Sequence, residues 1–258
     1  MKAVKHILVW IRNIVLFFFI SSIAMVVLYK FVPVYYTPLM FIRLADQAKN
    51  GEKMQLHHTW VPLGRISQSL VQAVVASEDN LFLEHNGFDL TQIQKAREEA
   101  RKGKKLRGAS TISQQTAKNV FLWPGRSFVR KGLEAYFTLL IELIWGKKRI
   151  MEVYLNSIEM GKGIYGAQAV AEAHFHKDAY QLSPSESALI AASLPNPVRF
   201  DSGNPSAYLL KRQAKILSLM SKLLKIEMGY EPEREKKYDR KKKKTTKWKA
   251  SVSTTWAL

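Results

Sequence analysis

An all-helical fold behind one N-terminal membrane-spanning helix is predicted by three features of the sequence. The chain of 258 residues is 47% hydrophobic, which is enough apolar material for a core and excludes disorder from end to end. Beyond residue 67 the apolar residues recur with helical spacing, and no convincing run of alternating residues indicates a strand. Residues 7–28 form an apolar run that only Arg12 and Asn13 interrupt.

The apolar run at residues 7–28 is long enough to cross a membrane, because a helix rises about 1.5 Å per residue and the hydrocarbon core is roughly 30 Å thick. Residues 25–30 lack the small-x-small exit of a cleaved signal peptide. The alternative is a buried core helix, which the polar remainder disfavours. Lys2, Lys5 and Arg12 precede most of the run, which modestly favours a cytoplasmic N-terminus. We therefore expect a single-pass anchor.

The composition narrows the classes of partner and of chemistry. There are 40 Lys and Arg against 21 Asp and Glu, a formal net charge of +19, and this excess predicts nucleic acid, a lipid surface or a phosphorylated substrate as partner. The anchor favours the lipid surface. The sequence contains no Cys, which excludes disulfides, zinc–thiolate sites and a cysteine nucleophile.

Four segments are predicted along the chain. They are an anchor at residues 1–30, a Pro-punctuated connector at 31–62 with a short helix, a helical domain at 63–230 and a highly charged tail at 231–258. The tail is expected to be disordered, either without a specific role or as a weak adhesive for anionic headgroups. The helices of the domain are expected near residues 67–79, 90–101, 110–120, 128–145, 147–157, 166–175, 183–194 and 206–225.

One helix start is marked more clearly than the others. Ser183 and Glu186 form a capping-box pattern, and Pro184 stands at the first helical position. The apolar segment at 139–145 is expected to be core, with a lipid-facing role as the alternative.

The first candidate catalytic residue is Glu78, which ends the apolar stretch 70–76. A carboxylate at the end of a largely buried helix is partly desolvated, which raises its pKa toward the range of a general base. The alternative is an ordinary surface glutamate.

A second polar cluster lies at residues 108–119. Ser110 or Thr111 can cap the helix that follows, and Thr111, Gln114 or Gln115, and Lys118 recur at helical spacing. A helix start with hydroxyls, amides and a lysine suits a phosphate or pyrophosphate. An N-cap followed by an exposed polar face is equally consistent with the pattern.

A third cluster contains Arg130, Lys131 and Glu134. One interpretation is an ion pair on a solvated helix face, which stabilises by only a few tenths of a kcal/mol. The other makes the two cations phosphate ligands, with Glu134 orienting them or holding a divalent ion. The polar residues of a fourth cluster, at residues 147–156, are expected to be mostly scaffold.

The order and spacing of these clusters carry more information than any one of them. The patterns E-D-x-x-F-x-x-H-x-G-x-D, G-A-S-T-I-x-Q-Q-x-x-K-N, R-K-x-x-E and K-x-x-I-x-E-x-Y-L-N follow one another. Together they resemble the family-51 glycosyltransferases, the peptidoglycan glycosyltransferases that polymerise lipid II. The resemblance covers roughly residues 61–224, and the lone anchor is similar to that of monofunctional members.

The resemblance implies an all-α, lysozyme-like fold and a role for each matching residue. Glu78 would deprotonate the 4-hydroxyl of the acceptor sugar, and Glu134 would lie near the pyrophosphate and a divalent cation, Mg²⁺ or Mn²⁺. The residues expected to bind the donor's phosphates or to shape the cleft are Asp79, Phe82, His85, Ser110, Thr111, Gln115, Lys118, Arg130 and Lys131.

The resemblance also implies partners and a location. Lipid II, the growing glycan strand and membrane lipid are expected, with other cell-wall synthesis proteins as further partners and no nucleic acid. The catalytic domain would be periplasmic on a bacterial inner membrane, with one lobe dipping into the outer leaflet.

Three other functions fit the sequence less well. A bifunctional penicillin-binding protein would need a Ser-x-x-Lys nucleophile, and no Ser stands three residues before a Lys. A lytic enzyme that cleaves glycan has no pyrophosphate for the cluster around Lys118 to stabilise. A non-enzymatic binder of anionic polymer explains the charge but leaves Glu78 and Glu134 without a purpose.

Overall fold

The protein is described here by a computed structural model, which covers residues 2–103, 110–125 and 127–229. The predicted tail at 231–258 lies outside these ranges. Within them the chain forms ten α-helices, which are α1 (Lys2–Phe31), α2 (Pro38–Lys49), α3 (Gln68–Glu78), α4 (Leu90–Arg101), α5 (Ile112–Phe121), α6 (Phe128–Ile144), α7 (Gly146–Ser157), α8 (Ala167–Phe175), α9 (Pro184–Ser193) and α10 (Ala207–Met220). The prediction of a mostly helical fold is confirmed.

A small sheet is present that the sequence did not predict. Its strands are β1 (His57–His58), β2 (Glu159–Gly161) and β3 (Ile164–Tyr165). The strand β3 is central, parallel to β1 and antiparallel to β2. Strands of two or three residues are too short to show an alternating pattern. The expectation of no strands was therefore wrong at this one place.

The helix boundaries follow from local capping. Ser183 accepts a hydrogen bond from the backbone of Glu186, whose carboxylate accepts one in return from the Ser183 backbone N–H. This capping box confirms the predicted start of α9. The helix α10 ends at Met220, earlier than the predicted residue 225. Beyond that point the chain turns onto α3, where Gln72 donates to the carbonyls of Met220 and Leu224.

The helices pack in two groups that meet at the candidate site. Helices α3, α9 and α10 pack on one another, and α5 packs on both α6 and α7. The apolar side of α3 is buried throughout, with Leu70, Val71, Val74 and Val75 in the core. The two groups are joined where Asp79, directly after α3, accepts a hydrogen bond from the backbone of Ile112 at the start of α5.

The helix α1 is long and apolar enough to cross a membrane. Its segment Val4–Phe31 has a mean hydropathy of 2.3, and only 11% of its most apolar window is buried. The alternative of a buried core helix is therefore wrong. We conclude that α1 fits a single-pass membrane anchor.

The C-terminal part of α1 is docked on the rest of the fold. Trp145 donates from Nε1 to the carbonyl of Val26 at 2.7 Å. Arg149 donates to the carbonyl of Tyr29 at 2.7 Å and also to that of Val32. Tyr29 lies in the last turn of α1, where a helix leaves carbonyl groups without internal partners, and Val32 directly follows the helix. The anchor is thus held at its exit from the predicted membrane segment.

The apolar segment at 139–145 belongs to the core only in part. Ile141 and Trp145 are buried in the core, whereas Leu139 and Leu143 are exposed. Two further exposed apolar residues, Phe128 and Val129, begin the same helix. The helix α6 packs on α1. The helix that contacts the anchor therefore also has an exposed apolar face.

The predicted connector at 31–62 holds an ordered helix. Thr37 caps α2, and Pro38 begins it, as the short-helix prediction required. Gln47 of α2 exchanges two hydrogen bonds with the backbone of Gln55. Because α2 also packs on α5, this segment forms part of the wall around the candidate site.

Candidate active site

Glu78 is the last residue of α3 and is half-buried. Its Oε2 accepts a hydrogen bond from Nε2 of Gln115 at 3.0 Å. Burial raises the pKa of Glu78 above its usual range, and the neighbouring charge of Asp79 adds to this. The hydrogen bond from Gln115 and the charges of Arg212 and Lys118 oppose the rise. The carboxyl group therefore has the desolvation that a general base requires.

The side-chain amide of Gln115 is oriented by Tyr154 of α7. The hydroxyl of the fully buried Tyr154 donates to Oε1 of Gln115 at 3.2 Å. Burial raises the pKa of Tyr154 well above its ordinary value, and the charges of Glu78 and Asp79 act in the same direction. The phenol therefore stays protonated and remains a donor. Its bond leaves the amide nitrogen of Gln115 directed at Glu78.

Asp79 joins the end of α3 to the start of α5. Its buried carboxylate accepts from the backbone N–H of Ile112 at 2.9 Å and from Nε2 of His85 at 2.9 Å. The Nδ1 atom of His85 accepts from the backbone of Gly87, so the proton of the ring lies on Nε2. A carboxylate at a helix N-terminus is also favoured by the helix dipole.

A supporting network behind Asp79 was not predicted from the sequence. Lys147 lies over the ring of Phe82 at 4.7 Å and donates to the carbonyl of His85 at 2.6 Å. The same ammonium pairs with Glu142 at 2.7 Å, and Glu142 accepts from Ser113 of α5. The spacing of Glu142 and Lys147 gives no signal for this network, because its partners come from three separate helical segments.

A first cavity, of about 310 Å³, has Glu78 in its wall. Asp79, Ser110 and Thr111 line the same cavity, together with Leu219 and Lys222 near the end of α10. Thr111 is already engaged, since its hydroxyl accepts from the backbone of Gln114 and donates to the carbonyl of Gly87. Ser110 is exposed.

A second cavity, of about 390 Å³, has Gln115 in its wall. Lys118 and Arg130 supply positive charge to its wall. Another part of the wall is apolar, formed by Leu122, Trp123 and Pro124. A ligand that carries both an anionic group and an apolar tail suits such a cavity.

The cations of the second cavity are coupled to Glu134. The buried carboxylate of Glu134 accepts from Nη1 of Arg130 at 2.9 Å and also pairs with Lys131, whose side chain is half-exposed. Burial lowers the pKa of Lys118, and the charges of Arg130 and Lys131 lower it further, whereas Glu134 raises it. Glu134 thus keeps a concentrated group of cations together.

The residues present do not form a self-contained site for a divalent cation. No three His, Cys, Asp or Glu side chains come together within the part of the chain that the structure describes. Both carboxylate oxygens of Glu134 already hold cationic partners, and a metal ion would have to displace one of them. A resident metal at Glu134 therefore does not fit this arrangement.

Comparison with known proteins identifies the family. The model of a family described as transglycosylase matches residues 46–221. The chain is 60% identical to the biosynthetic peptidoglycan transglycosylase of Bacteroides thetaiotaomicron, over 93% of this chain and 97% of the relative. Proteins of the same name from Bdellovibrio bacteriovorus and Caulobacter vibrioides are 54% and 52% identical, over 81% and 80% of this chain and 84% and 89% of theirs.

The chain belongs to the transglycosylase family. It is a peptidoglycan glycosyltransferase with a lysozyme-like catalytic domain, as the order of the four motifs predicted. The roles of its individual residues remain predictions, and the geometry of the site bears on each of them.

The structure of this transglycosylase divides the predicted site residues into three sets. Glu78, Asp79, Ser110 and Thr111 line the first cavity, whereas Gln115, Lys118 and Arg130 line the second. Thr111 and Lys118, which helical spacing placed on one face, thus line different cavities. The remaining residues line neither cavity, and these are Phe82, His85, Lys131 and Glu134.

Of that third set, Phe82 is fully buried, and the side chain of His85 is nearly so. Their place in this transglycosylase is behind Asp79 rather than at a cavity surface. Residues that sequence reasoning missed include Tyr154, Arg43 and Glu159, which line the second cavity, and Arg212, whose charge acts on Glu78.

Proposed function

We propose that this enzyme polymerises lipid II into linear glycan strands, with Glu78 as the general base. The observation that carries the proposal is that Glu78 lies in the wall of one cavity and is hydrogen-bonded to a residue in the wall of the other. Its carboxylate lines the first cavity, and its hydrogen-bond partner Gln115 lines the second. A base that removes a proton from one substrate while the other is attacked must lie at such a boundary.

The first cavity is assigned to the acceptor. The 4-hydroxyl of the acceptor sugar gives its proton to Glu78 as the oxygen forms a bond to the anomeric carbon of the donor. The bond between that carbon and the pyrophosphate oxygen breaks, and undecaprenyl pyrophosphate leaves with the electron pair. The raised pKa of Glu78 supports this role, because it makes the carboxylate a better proton acceptor than an ordinary glutamate.

The second cavity is assigned to the donor's pyrophosphate and the first part of its lipid tail. Negative charge grows on the leaving group during the reaction, and fixed cations in a partly desolvated site stabilise it. Lys118 and Arg130 supply these cations, and Glu134 orients Arg130. The apolar wall at Leu122 and Trp123 suits an isoprenoid chain. A lytic enzyme would leave this cationic cavity without a use.

We propose that a divalent cation binds together with the pyrophosphate, as its counter-ion. The arrangement at Glu134 supports this choice over a resident metal, because its two oxygens hold Arg130 and Lys131. No step of the reaction is assigned to the ion.

The enzyme is further proposed to lie in the bacterial inner membrane, with its N-terminus in the cytoplasm and its catalytic domain in the periplasm. The cationic residues before the apolar run support this orientation. The exposed apolar residues Phe128, Leu139 and Leu143 on α6 would contact lipid of the outer leaflet. Other cell-wall synthesis proteins are proposed as partners on the strength of the family resemblance.

The test of the proposed function is the Glu78→Gln variant of the full chain, assayed with lipid II for the length of the glycan made. We expect the rate to fall about 10²–10⁴-fold, the usual contribution of a general base. The control is Glu84→Gln, which removes a charge from an exposed residue of the same segment. Normal polymerisation by Glu78→Gln would reject Glu78 as the base.

A further inference from the structure

Arg43 lies outside the residues that the family model matches, yet it lines the second cavity. It belongs to α2, the helix that follows the membrane anchor. Its Nε is 3.3 Å from Oε2 of Glu159, which is buried at the start of β2. The side chain of Arg43 is 41% exposed, so part of the guanidinium remains accessible beside this ion pair.

The guanidinium of Arg43 is incompletely satisfied. Its buried Nε faces Glu159 in the ion pair, and no other acceptor lies near this atom in the hydrogen bonds of the described part of the chain. The part of the Arg43 guanidinium that is exposed lines the same cavity as Lys118 and Arg130. Three cationic side chains around one cavity suit a ligand rich in acceptor oxygens.

The ion pair with Glu159 fixes where Arg43 lies. The other oxygen of Glu159 accepts from the backbone of Gly163 at 3.4 Å, so the carboxylate is tied to the turn between β2 and β3. A Cβ at Gly163 would come within 2.5 Å of the Gln55 carbonyl oxygen, which makes this turn tightly packed. The charge of Arg43 is thus held by a rigid part of the fold.

We propose that Arg43 is a further binding residue for the donor's pyrophosphate, acting with Lys118 and Arg130, and that Glu159 positions it. The inference rests on the proposed assignment of the second cavity to the donor. A guanidinium suits phosphate oxygens because it presents several donors in one plane. Because Arg43 belongs to α2, the helix after the anchor, the donor would contact both this helix and the catalytic domain.

The test measures the binding of farnesyl pyrophosphate, a short prenyl pyrophosphate, to the full-length protein in detergent by titration calorimetry. Arg43→Met should raise the dissociation constant about tenfold, the loss expected for one charge-assisted contact. Lys49→Met is the matched control, because it removes the same charge from an exposed residue of α2 and should change the constant less than twofold. Lys118→Met should also weaken binding and reports on the cavity itself.

A second variant covers the case in which Arg43→Met leaves Glu159 buried and unpaired and fails to fold. Arg43→Met combined with Glu159→Gln removes both charges and should show the same tenfold loss. If either folded variant binds normally while Lys118→Met binds weakly, the role of Arg43 is rejected and the donor assignment of the cavity stands.

If both Arg43→Met and Lys118→Met bind normally, the donor assignment of the cavity itself is rejected. A raised KM for lipid II with unchanged binding of farnesyl pyrophosphate would also overturn the pyrophosphate role.

Discussion

The amide of Gln115 donates to the carboxylate of Glu78 across the boundary between two helices, α5 and α3. Its oxygen is held at the same time by the hydroxyl of Tyr154. One side chain therefore sets both the position and the proton affinity of the proposed base.

Removal of the Tyr154 hydroxyl should release the amide of Gln115 without changing the packing of the ring. We expect Tyr154→Phe to lower kcat about five- to tenfold and the free energy of unfolding by about 1 kcal/mol, the usual net value of one hydrogen bond. Steady-state kinetics and chemical denaturation measure the two effects. The control is Tyr208→Phe, since Tyr208 is exposed. A loss of stability without a loss of rate would show that the orientation of Gln115 is unimportant.

The pH profile of kcat/KM should rise with pH through the pKa of Glu78, because only the carboxylate accepts a proton. Burial raises that pKa, so the acidic limb should lie above the pH range of an ordinary glutamate. The bond from Gln115 stabilises the ionised form and lowers the pKa. Gln115→Leu should therefore move the acidic limb to higher pH. A limb that stays in place, or moves down, would contradict the assignment of this limb to Glu78.

At alkaline pH the profile should fall through the pKa of Lys118, because the donor site requires the ammonium form. Burial lowers this pKa from its usual value, so the fall should begin at a lower pH than for an exposed lysine. Lys118→Arg keeps a charge that does not titrate in this range. An alkaline limb unchanged in Lys118→Arg would assign it to another group.

Asp79 is predicted to matter for stability as well as for activity. Asp79→Asn removes the charge that faces the N-terminus of α5 and weakens the bonds to Ile112 and His85. We expect the free energy of unfolding to fall by about 1–3 kcal/mol, measured by chemical denaturation. Asp46→Asn, at an exposed position on α2, should have little effect. A variant that is fully stable but inactive would instead assign Asp79 a direct contact with the substrate.

The docking of the anchor gives a prediction of its own. Arg149→Met should free the carbonyls of Tyr29 and Val32 and leave the end of α1 more mobile. Hydrogen exchange of residues 26–34 should become at least tenfold faster, as expected for the loss of about 1.4 kcal/mol or more. Lys148→Met removes the neighbouring exposed charge and should leave the exchange unchanged. Equal exchange in the two variants would mean that Arg149 does not hold α1.

Much of the fold could be predicted because its signals are local. The caps at Ser67, Ser183 and Ser206 mark helix starts within one residue of the expected positions, and these caps depend on a few adjacent residues. The small sheet could not be predicted, because β1 pairs with β3 over a hundred residues later and neither strand is long enough to show a pattern.

The sequence predicted which residues belong to the candidate site better than it predicted how they are arranged in space. Helical spacing placed Thr111 and Lys118 on one face, but the hydroxyl of Thr111 turns back to cap its own helix and to reach Gly87. The place of Arg43 beside Glu159 depends on how α2 folds against the domain. Such contacts join distant segments, and no spacing within either segment indicates them.

The contacts of Trp145 and Arg149 with α1 bear on how the enzyme is prepared for study. A shortened chain that starts after Phe31 would lack the carbonyls of Val26 and Tyr29 that these side chains hold, and it would uncover apolar surface on α6. Such a preparation would tend to self-associate, and its kinetics would describe a perturbed domain. Detergent-solubilised or nanodisc-embedded whole protein is the appropriate reference for rate measurements.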